Sequence, residues 1–127
     1  MKKLTIAIIT VFTILVSCKK DSDNKPDSSS RTLRYEVTGN LTGKFTAAYH
    51  TESGGLTNVE VTSLPWSIEI NYAANVSAAS IVITGTGIPG QKVTLVIKRG
   101  GTRIGTPIEQ SVNSSNVFSI AGQVIVF

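Results

Sequence analysis

The amino-acid sequence predicts an all-β domain, an antiparallel immunoglobulin-like β-sandwich of about seven or eight strands, following a segment that is not part of the fold. Three observations predict it. From Leu33 onward apolar and polar residues alternate with period two in successive runs, which is the pattern of strands with one face in a core. The runs are short and are separated by clusters of Gly, Pro, Asn and Ser, the residues of tight connections. No stretch after Leu33 sustains a helical period. At 127 residues the chain is long enough for one domain and too short for two ordinary ones. A partly open barrel is the alternative architecture.

Taken in order, Leu33, Tyr35 and Val37 alternate with Arg34, Glu36 and Thr38. Gly39-Asn40 follows, and then Phe45, Ala47 and Tyr49 alternate with Lys44, Thr46 and Ala48, so that the two runs read as a hairpin. Ser53-Gly54-Gly55 breaks the chain, Val59 and Val61 alternate with Asn58, Glu60 and Thr62, and Pro65 makes a corner. Trp66, Ile68, Ile70 and Tyr72 then alternate with Ser67, Glu69 and Asn71 without exception. Residues 79–84 and 93–98 are denser apolar runs, expected to be strands with less water on their second face. Gly100-Gly101 lies between runs at 92–99 and 102–110, where two residues that accept positive φ suit a two-residue hairpin turn. The last strand is expected over 117–126, with Gly122 as a bulge. Each large inward side chain contributes roughly 1.5 to 3 kcal/mol on burial, so a domain over residues 31–127 needs no disulfide.

The beginning of the chain reads differently. Lys2 and Lys3 precede an apolar run over 4–16 interrupted only by Thr5, Thr10 and Thr13. This run is shorter than the roughly 20 residues of a stable membrane span, and it has the form of a signal-peptide core. Leu15-Val16-Ser17-Cys18 resembles the lipobox of bacterial lipoproteins. The resemblance implies that residues 1–17 are a signal peptide and that Cys18 becomes the mature amino terminus, its sulfur carrying diacylglycerol. Two or three acyl chains hold a protein stably to a membrane where one is marginal. Residues 18–30 then form the lipidated cysteine and a tether, charged and serine-rich with no large apolar residue, a composition that does not repay the entropy of ordering it. Lys19-Lys20-Asp21-Ser22-Asp23 is similar to the Lys-plus-acid signal that directs many Bacteroidota lipoproteins to the cell surface. The outer membrane is therefore favoured, with the surface and periplasmic leaflets as the two options.

Composition removes most enzyme chemistry. The tether holds every Asp, and Asp21, Asp23 and Asp27 lack the Gly-turned loop and terminal Glu of a calcium site. A single cysteine and a single histidine leave no thiolate or two-histidine metal set. From Arg31 onward five Glu and His50 are the only groups that titrate between about pH 4 and 7. His50 stands near Glu52 and Glu60, yet no GxSxG elbow accompanies it. Gly85-Thr86-Gly87-Ile88-Pro89-Gly90 matches GxGxxG. That motif must open a helix whose amides receive a pyrophosphate, whereas here β-like residues follow. No catalytic residue, metal or cofactor is assigned.

Contact residues remain. Lys92, Lys98, Arg99 and Arg103 form a basic stretch without an acid, suited to phosphate or acidic glycan. No aromatic platform interleaves with it, so nucleic acid is not an expected partner. Trp66 after Pro65 is either a sugar-stacking platform or core, and the regular inward alternation favours core. The candidate ligand or partner contacts are His50, Trp66, Arg99 and Arg103.

At Tyr35-Glu36-Val37-Thr38-Gly39, Leu64-Pro65-Trp66-Ser67 and Val93-Thr94-Leu95-Val96-Ile97 the order and spacing resemble the extracytoplasmic domain of the MmpS-type membrane proteins of mycobacteria. The likeness covers most of residues 33–127. It implies a small β-sandwich anchored outside the cytoplasmic membrane, acting as an accessory partner of RND-type exporters and without enzyme activity. This chain departs from that family in lacking its cysteine pair and in carrying a lipobox where the family has an uncleaved helix. The expected function is a non-catalytic, lipid-anchored envelope protein working by protein contact or as a transport accessory. The alternative is a cell-surface module that binds glycans or other ligands.

Overall fold

A computed structural model describes residues 29–127. The expected signal peptide, Cys18 and most of the expected tether lie outside the described residues. Ten strands follow one another: β1 Thr32–Gly39, β2 Phe45–His50, β3 Leu56–Val61, β4 Trp66–Asn71, β5 Ala78–Ala79, β6 Ile81–Thr86, β7 Lys92–Arg99, β8 Thr102–Ser111, β9 Val117–Ala121 and β10 Ile125–Val126. They build two four-stranded antiparallel sheets, β4-β1-β7-β8 and β3-β2-β6-β9, and a two-stranded ladder of β5 and β10. The protein is an all-β sandwich, as the alternation requires, and the described residues contain no helix.

The inward phase of each strand supplies the core. Leu33, Tyr35 and Val37 of β1 and Val93, Leu95 and Ile97 of β7 face Phe45, Ala47 and Tyr49 of β2 and Ile81 and Ile83 of β6. Phe118 and Ile120 of β9 and Ile70 of β4 complete it. Every core residue lies between Leu33 and Ile125, and every buried side-chain polar atom among the described residues has a partner. The 29–127 segment therefore contains a closed core of its own.

Three connections and one sheet face differ from the sequence expectation or refine it. β1 and β2 do not form a hairpin: β1 is paired on both sides, with β4 and β7, and has no free edge for β2. Residues 40–44 instead carry the chain to the opposite sheet, with Leu41 buried in the crossing. Gly39 begins that crossing at φ 142°, and a Cβ there would lie 2.1 Å from the Lys92 carbonyl oxygen, so only glycine lets the two backbones approach. Gly100 and Gly101, at φ 58° and 83°, form the expected turn between β7 and β8. The outer face of β6 is wet, with Val82 40% exposed. The outer residues of β7, by contrast, are partly covered. Finally, the expected last strand is divided: after β9 the Gly122 amide bonds to the Ile81 carbonyl, and β10 leaves to pair with β5.

Neighbouring residues on β6 should separate the two faces. Ile83→Ala, at 0% exposure, should cost about 2 to 5 kcal/mol, whereas Val82→Ala should stay within roughly 0.5 kcal/mol. Urea unfolding of the two variants followed by Trp66 fluorescence measures the difference.

Candidate functional site

The end of the sandwich at which the chain joins β1 gathers the most unusual side chains. Arg99 continues the inward phase of Val93, Leu95 and Ile97, and its guanidinium is buried. Its Nε donates to the Ser30 carbonyl at 2.7 Å and its Nη1 to the Val126 carbonyl at 3.3 Å. Arg31 donates from Nε and Nη2 to the carbonyls of Tyr72, Ala73 and Val76. The Phe127 ring lies against both cations, 4.7 Å from the Arg31 guanidinium carbon and 5.1 Å from that of Arg99. Such cation–π contacts strengthen as water is excluded. The Tyr72 ring packs on Phe127 at 5.2 Å. The carbonyl acceptors satisfy two cations that would otherwise be costly to bury. Arg99, expected as a contact residue, is thus a structural clamp holding Ser30, β7 and β10 together.

Tyr72 also links this clamp to the core. Its hydroxyl donates to the His50 carbonyl at 2.7 Å, which leaves Tyr35 to donate to Tyr72 across 3.4 Å. Burial pushes the Tyr35 hydroxyl far above the ordinary tyrosine value, and its bond to Tyr72 and the nearby Tyr72 charge push it further. Tyr72 is raised as well, chiefly by burial and also by Tyr49, against an opposing effect of its bond with Tyr35.

His50 lies next to this network but has a backbone role. Its Nδ1 accepts the Ser80 amide hydrogen at 3.1 Å, with the Ser80 hydroxyl 3.4 Å from the same nitrogen. Accepting an amide proton requires Nδ1 to be unprotonated, so the neutral ring carries its hydrogen on Nε2. The lone pair that a serine nucleophile would need is already engaged. Glu60 is turned to Lys44 at 3.6 Å, and no three His, Cys, Asp or Glu residues come together among the described residues. A shallow depression of about 410 Å³ beside His50 is lined by Ser53, Gly54, Asn75, Val76, Ser77 and Ala78.

Trp66 is half-buried and packs on the core aromatics. Its ring meets Phe45 edge-on at 6.1 Å and Tyr49 at 6.3 Å. A smaller depression of about 240 Å³ next to it is lined by Arg34, Glu36, Thr38, Pro65 and Ser67. Arg103 is exposed at the start of β8 and, with Lys98, Gly101 and Thr102, borders an open hollow of about 500 Å³. It has no ion pair among the described residues. On the same outer face Glu36 accepts from Arg34 Nε at 2.8 Å and lies 3.1 Å from Lys98 Nζ. The Arg34 bond, then the Lys98 bond, hold the Glu36 carboxyl below its usual value. The Gly85 to Gly90 loop offers no phosphate cradle, because the Gly87, Ile88, Gly90 and Gln91 amides are bonded to Asn116, Gln91, Val112 and Ile88.

The four sequence candidates therefore do not converge. His50 and Arg99 share the chain-joining end through Tyr72 and Arg31, Arg103 stands beside them on the outer face, and Trp66 is at the far end of β4. Sequence reasoning missed Arg31, Tyr72, Ser80 and Phe127. Only Arg99 left a signal, since it sits two residues beyond Ile97 in the inward phase of β7. Compared with family models, curated proteins and solved structures, the chain matches none. The likeness to MmpS-type domains accordingly rests on the short motifs alone.

Two pH dependences follow from these contacts. The unfolded chain ionises tyrosine near pH 10, whereas in the folded protein Tyr35 is held far above that value and Tyr72 is raised above it. Stability is then complete below about pH 10 and falls as pH rises. Spectrophotometric titration should show Tyr35 ionising only as the near-ultraviolet circular dichroism collapses. Glu36 acts in the opposite range: its contribution is present above the unfolded carboxyl value near pH 4 and is lost as pH falls. Glu36→Gln should therefore narrow the difference in Tm between pH 7 and pH 3.

Proposed function

We propose that this chain is a lipid-anchored protein of the bacterial envelope that works by protein contact, without making or breaking bonds. One observation supports it most directly. The side chains best equipped for chemistry are engaged in architecture: His50 with the Ser80 amide, Arg31 and Arg99 with carbonyls, and Tyr35 and Tyr72 with each other. Lipidation at Cys18 supplies the address, and the outer surfaces of the sandwich supply the contacts. A role as accessory to an envelope transporter follows from the MmpS-type likeness and belongs to the same proposal.

Of the sheet edges, β3 is better suited to a partner than β8. An exposed edge strand offers unpaired backbone groups to which an extended segment can add. β3, Leu56–Val61, contains neither Pro nor Lys, and its Leu56 is 75% exposed. β8, at an edge of the other sheet, is interrupted by Pro107 and bends at Gly105, where φ is 65°. The glycan-binding alternative is weakened by the packing of Trp66 against Phe45 and Tyr49.

In cells, Cys18→Ala should move the protein from the membrane fraction to the soluble fraction. A photo-crosslinker at Asn58 on β3 should capture a discrete envelope protein, and the adduct should disappear with Leu56→Asp. Fractionation and mass spectrometry read both. A membrane-independent location in the native strain, or equal capture from β3 and from Ser67 on β4, would remove the basis of the proposal.

A further inference from the structure

The strand directions give the sandwich two unlike ends. At one lie the connections 40–44, 62–65, 87–91 and 112–116; at the other lie residues 29–31, the turns at 50–55 and 99–102, the segment 72–80 and β10. The charges divide with them. Near the first end Lys44 faces Glu60 at 3.6 Å and Lys92 faces Glu109 at 3.4 Å, so the basic residues there are matched. Toward the second end Arg31, Arg34, Lys98, Arg99 and Arg103 stand against Glu36, Glu52 and Glu69. The whole positive surplus of the described residues is therefore at the end where the chain joins β1. Val124 and Val126 are also exposed there, at 62% and 69%. Arg34 and Lys98 are paired with Glu36, and Arg31 and Arg99 are bonded to carbonyls, which leaves Arg103 as the exposed cation without an ion pair among the described residues. Exposed apolar side chains next to such a cation, over a net positive end, are the combination that favours an anionic lipid interface.

We infer that this end of the sandwich seats on the anionic phospholipid headgroups of the leaflet that holds Cys18. The inference deepens the proposed function and rests on its lipid-anchor reading. Two features support this occupant over a soluble one. Ser29 leaves the domain at this end, and the stretch from Cys18 to Ser29, even fully extended, spans at most about 40 Å, so the anchor keeps this end close to the lipid. The surplus charge is complementary to phosphate headgroups. The contact is weak as a free encounter, with Arg103 as its exposed cation and Lys98, half-buried and paired with Glu36, beside it. Covalent attachment makes the encounter intramolecular, and a weak preference then suffices to set orientation. Seated in this way, the domain presents the 40–44, 62–65, 87–91 and 112–116 connections away from the membrane.

Cys18 is the chain's single cysteine, which permits a direct test. The mature chain, residues 18–127, is coupled through Cys18 to maleimide-bearing lipid in vesicles of phosphatidylcholine alone or mixed with phosphatidylglycerol. Acetylation of Lys98, Lys44 and Lys92 by a water-soluble succinimidyl ester is then followed by mass spectrometry. Lys98 should react roughly threefold more slowly on the anionic vesicles than on the neutral ones, with Lys44 and Lys92 unchanged. High salt should abolish the difference, as should Arg103→Glu combined with Val126→Asp, two exposed positions whose replacement leaves the core intact. Equal Lys98 reactivity on both vesicle types, or slowing at Lys44 and Lys92 instead, would overturn the inference. The synthetic linkage separates the two claims: an unacylated Cys18 in native material defeats the anchor reading, whereas the vesicle comparison defeats only the seating.

Discussion

A guanidinium placed on the inner face of a strand must find oxygen acceptors where water is scarce, and Arg99 finds them only where Ser30, Val126 and Phe127 come together. That requirement organises one end of the molecule. It brings the approach to β1 and the β10 strand onto β7, although these segments are far apart in sequence. Arg31 repeats the arrangement against the same Phe127 ring, donating to the carbonyls of the 72–76 turn. The open end of the sandwich is closed by two cations and an aromatic ring, and Tyr72 extends the contact to Tyr35 and His50.

The same economy shapes the functional reading. A small β-sandwich has few titratable groups, and here those that are buried or half-buried are engaged with backbone atoms or with one another. An imidazole whose Nδ1 receives an amide hydrogen, and loop amides already bonded to carbonyls, are poor starting points for general-base chemistry or phosphate binding. What such a domain offers a partner is surface: edge strands, connections and charge distribution. The uneven placement of net charge between the two ends gives the domain a direction, and the proposed anchor gives that direction a meaning.

Much of the fold was legible in the residues themselves. The alternation at Trp66, Ile68 and Ile70, the two glycines between β7 and β8, and the inward phase of Val93, Leu95 and Ile97 all reappear as observed strands and turns. The strand pairing was not legible. Phe45, Ala47 and Tyr49 alternate in the same way whether β2 pairs with β1 or crosses to β3 and β6, because period two reports which face is buried and carries no information about the neighbour. Of the candidate contacts, His50, Trp66 and Arg99 proved to have packing or hydrogen-bonding partners that sequence spacing does not reveal, and Arg103 is exposed.

By itself the sequence determined the strand content, the two-faced character of each strand and the shortage of catalytic groups, since these follow from local residue chemistry and a two-residue repeat. Only the tertiary structure decided that β1 is a central strand, that β10 leaves β9 for β5, and that Arg31 and Arg99 share Phe127. The physical reason is that backbone ladders and buried cations are satisfied by whichever acceptors the folded chain brings within about 3 Å. Such acceptors come from positions with no regular spacing in the sequence.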